Sequence, residues 1–164
     1  MTVPILLIDI DGVISLFGFD RNQPPPGRFL LVDGIPHFLS LTAADLVAGL
    51  QDSFELVWCS GWEEKADEYL PVALGLPAGL RHLTFDSPQQ PAPAAARHWK
   101  LESIDAFAGP DRPLAWIDDA FDESCHRWAA QRRAATELVA TEPAVGLTAA
   151  HAERLAEWAS GLRR

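Results

Sequence analysis

Two aspartates at the end of an apolar run are the residues of this chain whose types and spacing best suit chemistry. Residues 6–14 read Leu-Leu-Ile-Asp-Ile-Asp-Gly-Val-Ile, so that Asp9 and Asp11 follow a continuous run of branched side chains. Such a run predicts a buried strand, and open α/β sheets bind ligands at the carboxyl ends of their strands. Two carboxylates there repel each other, and a hard cation such as Mg²⁺ would relieve that repulsion. The alternative is a plain Asp-x-Asp-Gly turn.

Three further positions strengthen the first interpretation. Ser60 follows a second apolar run and precedes a predicted helix, so it suits a phosphate oxygen, although it could equally be a helix cap. Lys100 lies in the first turn of another predicted helix, where a cation opposes the helix dipole and therefore suggests pairing with carboxylates or phosphate. A third apolar run ends in Asp118 and Asp119. If that strand neighbours the first, four carboxylates converge, which is costly without a cation.

This order of residues resembles the haloacid dehalogenase-like (HAD) hydrolases, a superfamily dominated by Mg²⁺-dependent phosphatases. All four of its motifs find a match: the run 9–13, Ser60, Lys100, and the pair Asp118-Asp119. The resemblance covers roughly residues 3–140. A looser resemblance, carried by the predicted hairpin after the first motif and by Ser60-Gly61-Trp62, is to capless phosphatase domains of RNA repair proteins.

The resemblance implies a role for each matched residue. Asp9 would be the nucleophile that forms an aspartyl-phosphate, and Asp11 would be the acid and base. Asp9, the main-chain oxygen of Asp11 and an acid of the fourth motif would bind Mg²⁺, with Asp119 favoured over Asp118 as the direct ligand. The residues expected to bind the substrate are Ser60, Gly61, Trp62 and Lys100.

Trp62 has two interpretations from sequence. Beside Ser60, its indole could stack on a base of the substrate, or it could be an ordinary core tryptophan. The histidines have no ligand spacing, so we assign them no role.

The segments between the motifs bear on the substrate. The gap from Ile14 to Thr42 has room only for a loop and one hairpin, and the gap from Ser60 to Lys100 for one helix, one strand and a loop. The chain therefore resembles the capless branch of the superfamily, whose open sites often take large substrates such as polymer ends. We expect a phosphorylated small molecule or polymer end as the partner, with a specific nucleotide or nucleic-acid-end phosphatase, or a noncatalytic binding module, as alternatives.

Composition sets broad limits. The 164 residues carry a formal net charge of −10, which disfavours nonspecific binding to nucleic acid or to anionic membranes. No apolar run reaches the ~18 residues of a membrane span, and no basic segment precedes the first strand, so we expect no signal peptide and a cytoplasmic location. The length suits one domain, 1–164.

Strands alternating with helices predict an α/β, Rossmann-like three-layer sandwich with a mostly parallel five-stranded sheet, a small hairpin flap at 28–39 and no cap domain. Asp33-Gly34 between two apolar runs predicts the hairpin turn, and Pro36 predicts that the second arm is an edge strand. Thr42 is the expected N-cap of the next helix, with Asp45 completing a capping box, and Pro71 is expected to interrupt or end another. The predicted strands span 3–8, 54–59, 81–85, 113–117 and 135–140, and the predicted helices span 63–74, 98–107, 122–133 and 148–162.

Overall fold

The apolar runs form the strands of a central sheet in a computed structural model, which describes residues 3–86 and 97–163. Residues 87–96, where the Pro- and Ala-rich sequence predicts the loop between Ser60 and Lys100, lie outside the described residues. The strands are β1 (Ile5–Ile8), β2 (Ser15–Leu16), β3 (Gly27–Val32), β4 (Ile35–Ser40), β5 (Glu55–Trp58), β6 (Arg81–His82), β7 (Leu114–Asp118) and β8 (Thr136–Ala140). The helices are α1 (Leu41–Gly49), α2 (Glu64–Leu74), α3 (Leu101–Ala108), α4 (Glu123–Gln131) and α5 (Ala149–Gly161).

Five strands pair in the order β6-β5-β1-β7-β8, and every pairing among them is parallel. The central strand β1 therefore has β5 on one side and β7 on the other. Ile8 is level with Trp58 and with Ile117, so the ends of these three strands lie together at one edge of the sheet. The predicted α/β architecture is confirmed, and its topology brings the three motif-bearing strands side by side.

Both faces of the sheet are covered, because successive side chains of β1 point to opposite sides. Leu6 and Ile8 pack in a cluster with buried residues of α1, α2 and α5, whereas Ile5 and Leu7 pack in a second cluster with buried residues of α3 and α4. All four of these β1 side chains are fully buried. This double burial explains the continuous apolar run and gives the predicted three layers.

The flap, defined as β2, β3 and β4, is a small antiparallel sheet that follows the first motif. Asp33 and Gly34 form its hairpin turn with φ of +50° and +80°, as the Asp-Gly pair predicts. The expected edge position of β4 is wrong, because β4 is the middle strand, between β2 and β3. Pro36 is tolerated there because β2 pairs only with Phe38 and Leu39 and ends before it.

Helix ends differ from the sequence expectation in two places. The cap of α1 is Ser40 rather than Thr42, since the Ser40 hydroxyl accepts the backbone N–H of Ala43 at 3.0 Å. Pro71 lies inside α2, which continues to Leu74. Thr148 caps α5, and His151 completes a capping box with it.

A segment after β8 supports the loop of the first motif. The Thr141 hydroxyl donates to the carbonyl oxygen of Gly12 at 2.8 Å, and the Leu147 N–H donates to the carbonyl oxygen of Val13 at 3.0 Å. Gly146 lies so close that a Cβ there would overlap the same Val13 carbonyl. The first motif is thus fixed both by the sheet and by backbone far along the chain.

No helix among residues 3–86 and 97–163 combines the length and the apolar character that crossing a membrane would require. The single-domain organisation and the cytoplasmic location expected from the sequence stay predictions.

We predict that Gly146→Ala destabilises the protein more than Gly18→Ala. Both glycines have positive φ, +74° and +78°, so each alanine carries backbone strain of about 1–2 kcal/mol. Only at position 146 does the added methyl group also meet backbone, whereas nothing lies within 4 Å at position 18. Urea unfolding should therefore show the larger loss for Gly146→Ala. Equal losses of stability in the two variants would mean that the segment after β8 shifts to make room for the methyl group without an energetic cost.

Candidate active site

The candidate site lies where β1, β5 and β7 end. Asp9 follows β1, and its backbone N–H donates to the Ile117 carbonyl oxygen at 3.0 Å. Asp118 is the last residue of β7, and Asp119 follows it. Carboxylate oxygens of Asp9, Asp118 and Asp119 all lie within 4.8 Å of one another. The topology thus brings together three of the four acids predicted from the sequence.

Lys100 lies between two of these acids. Its ammonium group donates to Asp118 Oδ2 at 2.6 Å and is 3.0 Å from Asp9 Oδ1. All three side chains are buried, with exposed fractions of 4% for Lys100, 9% for Asp9 and 2% for Asp118. Lys100 occupies the position directly before α3, where a cation opposes the helix dipole, and the two carboxylates supply the compensating charge.

Burial and charge set the protonation of this cluster in opposite directions. Burial raises the pKa of Asp9 to about 7, although Lys100 counteracts the rise; Asp118 adds to it. Burial alone would lower the pKa of Lys100, but Asp9 and Asp118 together hold it above its usual value. Burial and then Asp118 also raise the pKa of Asp119. The cluster carries more negative than positive charge when ionised, as a cation site requires.

Asp118 and Asp119 have different surroundings. Asp118 Oδ2 accepts from Lys100 and from the Trp116 indole N–H at 3.2 Å, and its Oδ1 accepts from the Ala120 N–H at 3.0 Å. Asp119 is only partly buried and packs over Gly12, where a Cβ would overlap its carboxylate. The oxygens of Asp118 are thus occupied by the protein, and those of Asp119 are better placed for an ion.

Ser60 and its neighbours form the next side of the site. Ser60 is 2% exposed and follows β5, and its hydroxyl accepts the backbone N–H of Trp62 at 3.3 Å. It therefore caps the turn, and its position beside the end of β1 also suits a phosphate contact. Gly61 is exposed, whereas Trp62 is only 8% exposed.

Asp11 lies apart from the three-acid cluster. Its side chain is 52% exposed, and its carboxylate contacts the Trp62 indole and the His37 ring. The sequence assigned no role to His37, because the histidines have no ligand spacing, and the 26 positions between His37 and Asp11 give no sign of this contact. The contact of Trp116 with Asp118 could have been predicted from the sequence, since residues two apart on a strand share a face.

Comparison with known proteins identifies the family. The model of a family described as the HAD domain in Swiss Army Knife RNA repair proteins matches residues 5–152. The match confirms both resemblances predicted from the motifs, to the superfamily and to its RNA repair domains. No curated protein matches the chain.

We predict that ionisation of Asp9 destabilises the metal-free protein. The pKa of this carboxyl group is about 7 in the folded chain and near 3.8 without its surroundings. Between these values the folded chain binds more protons than the unfolded chain, so this contribution to the free energy of unfolding falls as the pH rises from about 4 to about 7.

Urea unfolding of wild type and Asp9→Asn at several pH values, with a chelator present, tests this. The variant should gain stability relative to wild type by roughly 1 kcal/mol per pH unit across that range. Saturating Mg²⁺ should counteract the loss in wild type, because it favours the ionised carboxylate. A difference between the two proteins that does not vary with pH would contradict the prediction.

Proposed function

The chain belongs to the HAD domains of Swiss Army Knife RNA repair proteins, and we propose that it is a Mg²⁺-dependent phosphatase that hydrolyses phosphomonoesters. Membership supports a hydrolase-type function, since HAD domains are mostly phosphatases. The observation that carries the proposal is the buried Asp9 carboxylate, paired with Lys100 at 3.0 Å and within 4.8 Å of the two acids at the end of β7. A nucleophile, a fixed cation and a cation site are thereby adjacent.

The residues present fit Mg²⁺. The donors are all carboxylate oxygens, the type that hard cations prefer. Gly12 leaves the space that the Asp119 carboxylate occupies, and the hydrogen bonds of Asp118 assign it to orienting Lys100. Asp9 and Asp119 would hold the ion, with the main-chain oxygen of Asp11. Bound there, Mg²⁺ supplies charge that offsets the negative phosphoryl oxygens.

The side chains of this chain divide the reaction between them. The Asp9 carboxylate attacks phosphorus, and the bond from phosphorus to the leaving oxygen breaks as Asp11 gives that oxygen a proton. Water then attacks the aspartyl-phosphate, Asp11 takes a proton from the water, and Asp9 and inorganic phosphate are regenerated. Lys100 favours the ionised form of Asp9 and faces the phosphoryl charge, and Ser60 binds a phosphoryl oxygen.

The competing function is a binding module that keeps the fold without catalysis. It accounts less well for the site, because such a module has no need of a buried lysine between two acids. Losing one partner of a buried ion pair is costly, but replacing the whole pair by apolar residues of similar volume is often neutral or stabilising. The fold alone therefore does not require the ion pair.

We predict that wild type hydrolyses p-nitrophenyl phosphate only with Mg²⁺ and that Asp9→Asn reduces the rate to background, because the amide cannot act as the nucleophile. Asp11→Asn should reduce kcat about 10²–10⁴-fold, the usual contribution of acid–base catalysis. Asp45→Asn, an exposed change on α1, is the control and should match wild type. An inactive wild type, or full activity in Asp9→Asn, would contradict the proposal.

The description of the family favours a second, narrower candidate: a phosphatase for nucleic-acid ends. We predict a kcat/KM at least ~10-fold higher for an oligonucleotide with a terminal phosphate than for the matching mononucleotide or a sugar phosphate, since the polymer adds contacts. The same oligonucleotide with a terminal hydroxyl should compete. Uniform weak rates across the panel, or a preference for sugar phosphates, would contradict this candidate.

A further inference from the structure

The Asp11 carboxylate has a hydrogen-bond donor on one oxygen and an aromatic ring beside the other, although its side chain is half-exposed. The Trp62 indole N–H donates to Asp11 Oδ2 at 3.1 Å. On the other side, His37 Nδ1 lies 3.5 Å from Asp11 Oδ1. A carboxylate on a short loop would otherwise sample several rotamers, so these two aromatic side chains restrict its orientation.

The position of Trp62 is itself tightly determined. Its indole is almost buried, its backbone N–H donates to the Ser60 hydroxyl, and the next residue, Glu63, has φ of +49° and ψ of −124°. A non-glycine residue in such a conformation carries strain of about 1–3 kcal/mol. The Glu63 carboxylate accepts the backbone N–H of Phe85 at 3.0 Å, which holds the strained turn in place. The turn thereby directs the indole towards Asp11.

His37 reaches Asp11 from the flap. Its Nδ1 is 3.0 Å from the Ser15 hydroxyl, and its ring meets the Trp62 ring edge-on at 4.6 Å between centroids. At its tip the flap is joined to α2 by an ion pair between Asp33 and Lys65. The flap therefore contacts the turn before α2 through His37 and Trp62 and α2 itself through Asp33 and Lys65, and His37 and Trp62 lie on two sides of Asp11.

We propose that Trp62 and His37 are positioning residues that hold Asp11 in the orientation from which it gives its proton to the leaving oxygen. The inference rests on the proposed phosphatase function and adds to it two residues that act through Asp11 rather than on the substrate. Trp62 is the principal one, because its hydrogen bond is direct and its side chain is nearly buried.

The chemistry of the indole suits this task in both protonation states of Asp11. An indole N–H donates and never accepts, so Oδ2 must be an acceptor: the carbonyl oxygen of the acid or one oxygen of the carboxylate. The proton of the acid is then on Oδ1. As the bond from phosphorus to the leaving oxygen breaks, that proton passes from Oδ1 to the leaving oxygen, and the indole hydrogen bond is retained by the carboxylate that forms.

The test compares two substrates whose leaving groups differ in their need for a proton. An alkyl phosphate such as β-glycerophosphate leaves as a basic alkoxide, whereas p-nitrophenyl phosphate leaves as a stable phenolate. Because kcat/KM reports the steps through departure of the leaving group and not the later hydrolysis that both substrates share, Trp62→Phe should lower kcat/KM for the alkyl phosphate about 10-fold or more and affect kcat/KM for the aryl phosphate much less. His37→Phe, which keeps an aromatic ring but removes both nitrogens, should show the same pattern to a smaller degree.

Trp128→Phe is the matched control. The Trp128 indole donates to the Asp105 carboxylate at 2.7 Å, and its side chain is 6% exposed against 8% for Trp62. This control removes the same kind of hydrogen bond away from the site, so the ratio of the two kcat/KM values should stay at that of wild type. Equal losses on both substrates in Trp62→Phe would overturn the proposal. A rise in KM confined to oligonucleotide phosphates would also overturn it, because Trp62 would then bind substrate.

A second readout does not depend on activity. In a ¹H–¹⁵N NMR spectrum, the Trp62 indole signal is identified as the one that Trp62→Phe removes. This signal should shift in Asp11→Ala and stay in place in Asp105→Ala. The Trp128 indole signal should shift in Asp105→Ala and stay in place in Asp11→Ala. If the Trp62 signal does not shift in Asp11→Ala, the positioning role is overturned while the proposed phosphatase function stands. An inactive wild type would overturn the proposed function and this role together, which distinguishes the two failures.

Discussion

The buried ammonium group of Lys100 is the interaction on which the rest of the site depends. It contacts carboxylates of Asp9 and Asp118 that, with Asp119, crowd within 4.8 Å. One cation among three acids lowers their mutual repulsion, yet leaves an excess of negative charge when the acids are ionised. That excess favours a bound cation, so the fold and the proposed chemistry have the same electrostatic requirement.

The topology of the sheet determines which residues can share this cluster. Because β1 is central, the residues that follow it are adjacent both to the end of β5, with Ser60, and to the end of β7, with Asp118. Close contacts with the backbone of the first motif hold these residues in place. Gly12 admits the Asp119 carboxylate, and Thr141 fixes the Gly12 carbonyl from the far end of the chain. Neither contact involves a group that reacts.

Much of the sheet and of the acid cluster is predictable from sequence, because both depend on local patterns. Doubly buried parallel strands are continuous apolar runs, and acids at their ends must meet at one edge of the sheet. The predictions are wrong where the structure of a residue depends on a neighbouring strand that its local sequence does not show. Pro36 is tolerated in a middle strand because β2 is two residues long, and Ser40 caps α1 because β4 ends there. The contacts of Asp11 with His37 and Trp62 are separated by 26 and 51 positions, and no periodicity relates them.

The two aspartates of the first motif show how one short segment can supply two chemistries. Asp9 is buried and paired with a lysine, whereas Asp11 is half-exposed, accepts a hydrogen bond from the neutral indole of Trp62 and lies beside the ring of His37. A nucleophile must react as the carboxylate, and a proton donor must gain and lose its proton during the reaction. A cation beside Asp11 would stabilise its carboxylate against protonation, so a neutral indole donor and partial exposure to water suit its role better than a second lysine would.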